Sequence, residues 1–284
     1  FRAFKNANRR GKRGKVMRRK IYNFLKRRRS QGEKSIVSQK VVITLPIHPI
    51  MFALYGFLLF PLFMYSPIIF ASLSSYLGVS SSAAAALGLL MPTLSFPLSL
   101  VNVVVKRIET EEEILTYDSK YITFMGFPIP VFIPVLQRKE ITIAVNLGGA
   151  VLPIFFSTLL IIAIGRSSSD MLIRALLDVA VTSIVTFFTS RAVPRVGIVT
   201  PSLIPPIVST LAAFLLGGGH FTFPIAYIGG VLGSLIGADV LRLMKDIDKF
   251  KSELGSAFLS IGGAGTFDGI FLSGIFAAVF SAIL

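Results

Sequence analysis

Residues 141–165 read ITIAVNLGGAVLPIFFSTLLIIAIG, which is a run of twenty-five residues without a charged side chain. A helix that crosses the hydrocarbon core of a bilayer needs about 20 predominantly apolar residues. Six other apolar runs lie along the chain, at about 45–73, 82–105, 171–190, 198–217 and 222–243 and within 256–284. The sequence therefore predicts an all-α, polytopic transmembrane helix bundle of about seven spans.

The composition agrees with this class. Hydrophobic residues make up 53% of the 284 residues and charged residues 15%, whereas a soluble domain is about a quarter charged. Cysteine is absent, which excludes disulfides, thiolate catalysis and cysteine-ligated metal centres. His48 and His220 lie far apart in the sequence, so neither a histidine-ligated metal site nor a Ser/His/Asp arrangement is predicted. We expect no metal, no cofactor and no catalytic centre of these kinds.

Positive charge is concentrated in residues 1–40. They hold 16 of the 29 lysines and arginines and one acidic residue, Glu33, in a chain of net charge +15. We expect this stretch to be a cytoplasmic tail and residues 41–284 to be the transmembrane domain. The tail is predicted to bind anionic lipid headgroups or, as an alternative, RNA phosphates. Its densest basic clusters contain Arg18, Arg19, Lys20, Lys26, Arg27, Arg28 and Arg29.

Positive charge in the short connections predicts the orientation. With the N-terminus inside, the inner connections hold eleven lysines and arginines, and the outer ones hold two, Arg166 and Arg174. Cytoplasmic connections carry the excess of lysine and arginine in membrane proteins. The sequence therefore predicts a multi-pass cell-membrane protein with a cytoplasmic N-terminus and an external C-terminus. A homo-oligomer or a larger membrane complex is compatible with these features.

The connection between the second and third spans favours extended structure. Residues 121–125 read YITFM, which is typical of a strand, and Gly126 to Pro128 are typical of a turn. Three prolines then argue against a central strand. We expect a short extended or hairpin-like element on the cytoplasmic face.

Two aspartates carry the strongest chemical signal. Asp239 lies near the cytoplasmic end of the sixth span, and Thr266 is a favourable N-cap that would place Asp268 in the first turn of the last helix. Carboxylates within membrane segments are costly and are functional by default. Asn102 and Asn146, at the inner ends of spans, could add neutral oxygen ligands. These four residues are predicted to form an ion- or proton-binding site.

Structural roles for the same residues remain an alternative. Arg242 follows Asp239 by three residues and could pair with it, and Asp178 could pair with Arg174 one helical turn away. At 100° per residue, Asp239 lies nearly opposite Gly237 and would point toward headgroups. Five glycines are predicted to allow close helix packing. They are Gly229, Gly233, Gly237, Gly265 and Gly269.

Several motifs resemble one uncharacterised prokaryotic membrane-protein family, domain of unknown function 1614. They are AVNLGGA at 144–150, VPRVGI at 193–198, PSLIPP at 201–206, GAD at 237–239 and SIGGAGTFDGIF at 260–271. The resemblance covers roughly residues 85–284. It implies an integral membrane protein without an established activity.

Three classes of function are open. The first is a transporter or channel-like protein for a small cation or a proton-coupled solute, which uses membrane-embedded aspartates. The second is an intramembrane aspartyl protease-like enzyme, although neither aspartate has the Gly-x-Gly-Asp pattern of presenilin-like enzymes. The third is a non-catalytic membrane scaffold or ribosome-docking protein that acts through its basic tail. We favour the first class.

Overall fold

The computed structural model describes most of the chain after the basic tail. The described residues are 40–44, 60, 64–124, 127–193, 197–253, 257–263 and 269–284, with the backbone alone at 109–139, 249–253 and 257. The tail, Gly265 and Asp268 lie outside these residues. The described residues divide between two compact units, the first with residues 109–140 and the second with residues 40–108 and 141–284. The second unit holds the helices and the candidate site.

Helices dominate the second unit. They are α1 (64–75), α2 (Ser81–Leu98), α3 (Leu152–Ser167), α4 (Ser169–Thr189), α5 (Ile204–Leu215), α6 (Thr222–Ser234), α7 (Leu243–Glu253) and α8 (Gly269–Ile283). A π-helical segment, Leu147–Val151, leads directly into α3. A second one, Leu235–Arg242, joins α6 to α7.

Four helical stretches in the described part are long and apolar enough to cross a membrane. They are Ser81–Leu98, Leu147–Ser167, Ser169–Thr189 and Gly219–Asp248, and α5 and α8 are shorter apolar helices. This finding agrees with the predicted class, a helical membrane protein. The predicted number of about seven spans is not confirmed, and the first predicted span, 45–73, is only partly described.

The chain is not all-α, because six described strands form two sheets. Strands β1 (Val41–Ile43), β2 (Val101–Phe124), β3 (Phe127–Asn146) and β6 (Ala257–Ile261) form one sheet in the order β1-β2-β3-β6. In it β1 is antiparallel to β2, and β3 is parallel to β6. Strands β4 (Arg191–Val193) and β5 (Gly197–Val199) form a small antiparallel sheet.

The extended element predicted after the second span is present but is not short. Strands β2 and β3 have 24 and 20 residues and are neighbours in the sheet. Strand β2 includes the end of the span predicted at 82–105, and β3 includes the start of the span predicted at 141–165. Strand β5 includes the start of the span predicted at 198–217. These boundaries were wrong because valine and isoleucine are apolar and also favour strands, so hydropathy alone does not separate the two structures.

Helix α4 shows the polarity of a membrane helix most clearly. Its buried residues include Asp178, Thr182, Ser183 and Thr186, whereas its exposed face carries large apolar side chains such as Phe188, which is 74% exposed. Lipid offers no hydrogen-bond partner to a polar group, so such groups turn toward the protein interior. The arrangement therefore suits a bilayer better than water.

The apolar core of the bundle is built around aromatic rings. The Phe70 ring contacts the rings of Phe156, Tyr227 and Phe271 at centroid distances of 5.2, 5.8 and 5.9 Å. Each aromatic pair contributes about 0.5–1.5 kcal/mol beyond its buried area. The cluster joins α1, α3, α6 and α8 into one core.

Three of the predicted packing glycines face α4. A Cβ atom added at Gly229 would lie 2.4 Å from Asp178 Oδ2, one at Gly233 would lie 2.5 Å from Thr182 Cγ2, and one at Gly237 would lie 2.4 Å from the Ser183 carbonyl oxygen. These distances are too short for any side chain. At Gly269, in contrast, no described atom lies within 4 Å of an added Cβ.

Substitution of Gly233 by alanine tests this packing. Gly233→Ala should lower the free energy of unfolding by about 1–3 kcal/mol, because the new methyl group overpacks the contact with Thr182. Thermal unfolding of the detergent-solubilised protein measures the change. Gly269→Ala is the matched control and should change stability little. Equal melting temperatures for the two variants would contradict the packing.

Candidate functional site

Strands of the larger sheet meet helical segments at a polar site, which we call the junction. It consists of Asn102 near the start of β2, Asn146 at the end of β3, Asp239 in the second π-helical segment, and Ser260 and Gly262 at the end of β6. The β3–β6 pairing sets Ala144 opposite Ser260. This register brings the ends of both strands to the same level.

Two buried asparagines form the centre of the junction. Asn146 Nδ2 donates to Asn102 Oδ1 at 3.1 Å. Asn102 Oδ1 also accepts from Ser260 Oγ at 2.6 Å, and Asn102 Nδ2 donates to Thr44 Oγ1 at 2.9 Å. One amide group thus links strands β2, β3 and β6 with the residue that follows β1. The role predicted for Asn102 and Asn146, as neutral oxygen ligands of a bound ion, stays a prediction.

Asn146 also starts the first π-helical segment. Its Oδ1 accepts from the Gly149 N–H at 2.7 Å, and its Nδ2 donates to the Ser99 carbonyl oxygen at 2.5 Å. An asparagine at this position satisfies a backbone donor that the helix itself cannot pair. Both amide groups of the asparagine pair are therefore engaged in holding the strand ends against the helix ends.

A close backbone approach supports this link. Ser95 Oγ donates to the Gly148 carbonyl oxygen at 2.9 Å. A Cβ atom added at Gly148 would lie 2.1 Å from the Ser95 carbonyl oxygen. Only glycine allows the end of α2 to pack this closely against the π-helical segment.

Asp239 reaches the junction from the other π-helical segment. Its Oδ2 accepts from the Gly262 N–H at 2.9 Å. Gly262 has a φ of +87°, and a Cβ added there would lie 2.5 Å from the Ala150 Cβ. The carboxylate therefore lies beside the point where the end of β6 meets the first π-helical segment. π-Helical segments often mark functional sites.

The predicted ion pair between Asp239 and Arg242 is wrong. Arg242 Nε lies 2.6 Å from Asp246 Oδ2 and pairs with that carboxylate instead. The predicted direction of Asp239, toward headgroups, is also wrong, because its carboxylate accepts from the Gly262 N–H at the end of β6. Gly237 faces α4, and Asp239, two residues further along, lies on the other side of the π-helical segment.

Asp178 is a buried carboxyl group, and the alternative in which it pairs with Arg174 is wrong. Arg174 Nε instead pairs with Asp170 Oδ2 at 2.8 Å, and its Nη1 donates to the carbonyl oxygens of Leu216 and Gly217. Asp178 accepts from Thr182 Oγ1 and lies within hydrogen-bond distance of Ser209 Oγ. The sequence signal for a buried Asp178 is that polar residues recur at every fourth position along α4, because residues four apart lie on one face of a helix.

An open cleft lies at the end of α2 farther from the sheet. Its volume is about 660 Å³, and serines, alanines, Tyr76 and Phe223 line it. Tyr76 Oη donates to the His220 carbonyl oxygen at 3.0 Å, and burial raises the pKa of this phenol. None of the described residues that line the cleft is an aspartate, a glutamate, a lysine or an arginine, so these residues offer no side-chain charge for holding an ion.

Apolar exposed faces, buried polar groups and helices of spanning length define a helical integral membrane protein. Residues 94–280 match the model of a family described as protein of unknown function (DUF1614), and the chain belongs to this family. The matched range includes the whole junction and Asp178. No curated protein and no solved structure matches the chain.

Removal of the Asn146 side chain tests whether the junction holds sheet and helices together. Asn146→Ala removes the bonds to Ser99, Asn102 and Gly149, so we expect the free energy of unfolding to fall by about 1–3 kcal/mol. Thr158→Ala is the control, because this exposed hydroxyl bonds only within its own helix. The melting temperatures of the two variants in detergent measure the difference in stability. An Asn146→Ala melting temperature equal to that of Thr158→Ala would show that the network does not stabilise the fold.

Proposed function

We propose that the protein is a transporter or channel-like protein for a small cation or a proton-coupled solute, with Asp239 in its binding site. The observation that carries this proposal is the environment of Asp239. It lies within the apolar stretch Gly219–Asp248, yet its carboxylate accepts from a backbone N–H of a neighbouring element rather than pairing with Arg242.

The backbone around Asp239 supports the proposal. Irregular backbone at membrane depth is tolerated where it is buried in protein or lines a water-filled cavity, and transporters bind ions and substrates at such interruptions. Here two π-helical segments and the end of β6 come together beside one carboxylate. An ionised carboxylate has about four acceptor positions, and the Gly262 N–H uses one, which leaves capacity for a cation or a proton.

Other parts of the junction have different roles in this proposal. Asn102 and Asn146 hold the strand ends in place, because their amide groups are engaged with one another and with Ser99, Gly149 and Ser260. Asp268, which follows β6 by seven residues, is the candidate for a second carboxylate. An aspartyl protease would need the carboxyl groups of Asp239 and Asp268 to share one water molecule.

We further propose a cytoplasmic N-terminus and an external C-terminus, with residues 1–40 on anionic headgroups. Each lysine or arginine near such a surface contributes about 1 kcal/mol. In this proposal deletion of residues 1–40 leaves ion flux intact. Loss of all activity with normal membrane insertion would favour the scaffold or ribosome-docking alternative, in which the tail binds RNA.

Ion flux through reconstituted protein tests the role of Asp239. Full-length protein in liposomes should conduct protons or Na⁺ faster than empty liposomes when a K⁺ gradient and valinomycin set the membrane potential. Asp239→Asn keeps the shape of the side chain and removes its charge. We expect this variant to lower the flux at least tenfold, which corresponds to a loss of about 1.4 kcal/mol or more. A dye for internal pH and one for Na⁺ report the rates.

Asp170→Asn is the matched control for charge. Asp170 is 61% exposed and pairs with Arg174 on the helix surface, so its loss should leave the flux unchanged. A flux that is equal in wild type and Asp239→Asn would remove Asp239 from the mechanism. A flux no higher than in empty liposomes would contradict proton or Na⁺ transport.

A further inference from the structure

Asp178 occupies the middle of a membrane-spanning helix. It follows the first residue of α4 by nine positions, which is about 14 Å along the axis at 1.5 Å per residue. Its side chain is completely buried between α4, α5 and α6, where a Cβ on Gly229 would touch its carboxyl group. A carboxyl group at this depth needs a physical reason, because the bilayer interior disfavours its charge.

The partners of Asp178 are neutral hydroxyl groups. Thr182 Oγ1 donates to Asp178 Oδ1 at 3.1 Å. Ser209 Oγ lies 3.0 Å from Asp178 Oδ2 and 2.7 Å from the Ala226 carbonyl oxygen. Ser209 carries one hydroxyl hydrogen and therefore cannot donate to both acceptors fully at once. The position of that hydrogen depends on whether Asp178 is protonated.

Among the described residues, the helices around Asp178 offer no cation to balance a charge on it. Within α5, α6 and α8 the described sequence contains no Lys, Arg, His, Asp or Glu, and the phenol of Tyr227 packs against Phe70 and Phe156. The charged residues that are nearest to these helices in the sequence lie elsewhere. Arg174 pairs with Asp170, Arg166 lies in the last turn of α3, and Asp239 and Arg242 follow Gly229 by ten and thirteen residues.

We propose that Asp178 and Ser209 form a proton-binding site inside the bundle, distinct from the junction. In the protonated state Asp178 Oδ2–H donates to Ser209 Oγ, and Ser209 donates to the Ala226 carbonyl oxygen. When the proton leaves, the Ser209 hydroxyl rotates and donates to the carboxylate. One proton is exchanged with water, and rotation of one hydroxyl group accommodates the change.

A metal ion fits this site poorly. Hard cations prefer about six or more oxygen ligands, whereas the backbone of Gly229 occupies the space beside the carboxyl group and Ser209. In the described part of the chain, no three His, Asp or Glu side chains gather where they could hold a metal. The proton is the cation that the geometry accommodates.

We place the route of this proton along a row of hydroxyl groups that leads toward the sheet end of the bundle. Thr182, Thr186 and Ser190 follow Asp178 at intervals of four residues and are buried on the same face of the chain. Thr186 Oγ1 has no hydrogen-bond partner among the described residues, and Ser190 Oγ lies 2.7 Å from Thr200 Oγ1. Successive hydroxyls are about 6 Å apart along the axis, so one water between each pair would complete the route.

Infrared spectroscopy of the purified full-length protein tests the site directly. Wild type should show a carbonyl stretch from a protonated carboxyl group that disappears as the pH rises. The band should be absent in Asp178→Asn and unchanged in Asp170→Asn and Asp239→Asn. Ser209→Ala should shift its frequency, because the main partner of the carboxyl hydrogen is lost. The Asp178→Asn side chain has the shape of the protonated state, and gel filtration with circular dichroism checks its fold.

Exchange into D₂O tests the route. Thr186→Val keeps the shape of the side chain and removes the unpaired hydroxyl, so the shift of the Asp178 band in D₂O should slow at least tenfold. Ser157→Ala is the control, because Ser157 on α3 is another buried hydroxyl without a described partner.

A band that persists in Asp178→Asn, is missing from wild type or never titrates would overturn the site. An exchange rate unaffected by Thr186→Val would overturn the route. Flux through Asp239 is measured separately, so either proposal can fail alone.

Discussion

The structure depends on one constraint, which is that a polar group inside a membrane bundle must find its partner within the protein. Helix α4 satisfies it by turning Asp178, Thr182 and Thr186 inward and Phe188 outward. The facing helix α6 and the π-helical segment after it supply glycine at every fourth position, so the small polar side chains of α4 fit against their backbone. Burial of polar groups and close helix packing are therefore two consequences of the same contact.

The constraint also explains the junction. Where helices give way to strands, the backbone groups at the helix ends lose their regular partners. Asn146 replaces one of these partners and binds Asn102, which in turn binds Ser260. Asp239 adds a charged acceptor from the second π-helical segment. The junction thus gathers hydrogen-bonded polar groups between an apolar bundle and a sheet.

Part of this could be predicted from the sequence. Long apolar runs predicted α3, α4 and α6 because hydropathy over about 20 residues reports directly on lipid exposure. The residues Asn102, Asn146 and Asp239 were predicted to lie near one end of the bundle because polar residues at the ends of apolar runs share a depth. The strand boundaries were missed, since Val101 to Val105 and Ile141 to Val145 are as apolar as a helix.

The partners of the charged residues could not be predicted. Arg174 and Arg242 each had two carboxylates within helical reach, and sequence spacing does not choose between them. The choice depends on tertiary contacts, as when Arg174 bonds the carbonyl oxygens that follow α5. The contact of Asp239 with the Gly262 N–H at the end of β6 likewise depends on tertiary packing, which sequence spacing does not report. Sequence reasoning therefore located the carboxylates but not their environments.

The orientation of α4 is the central claim, and spin labelling measures it most directly. The chain contains no cysteine, so single cysteines can be introduced along α4 without further changes. Labels at Leu177, Ile184 and Phe188 should show high collision rates with oxygen, which dissolves in lipid, and low rates with a water-soluble nickel complex. Labels at Thr182 and Thr186 should be shielded from both. Equal accessibility around the helix, or contact of the apolar face with water, would contradict the account.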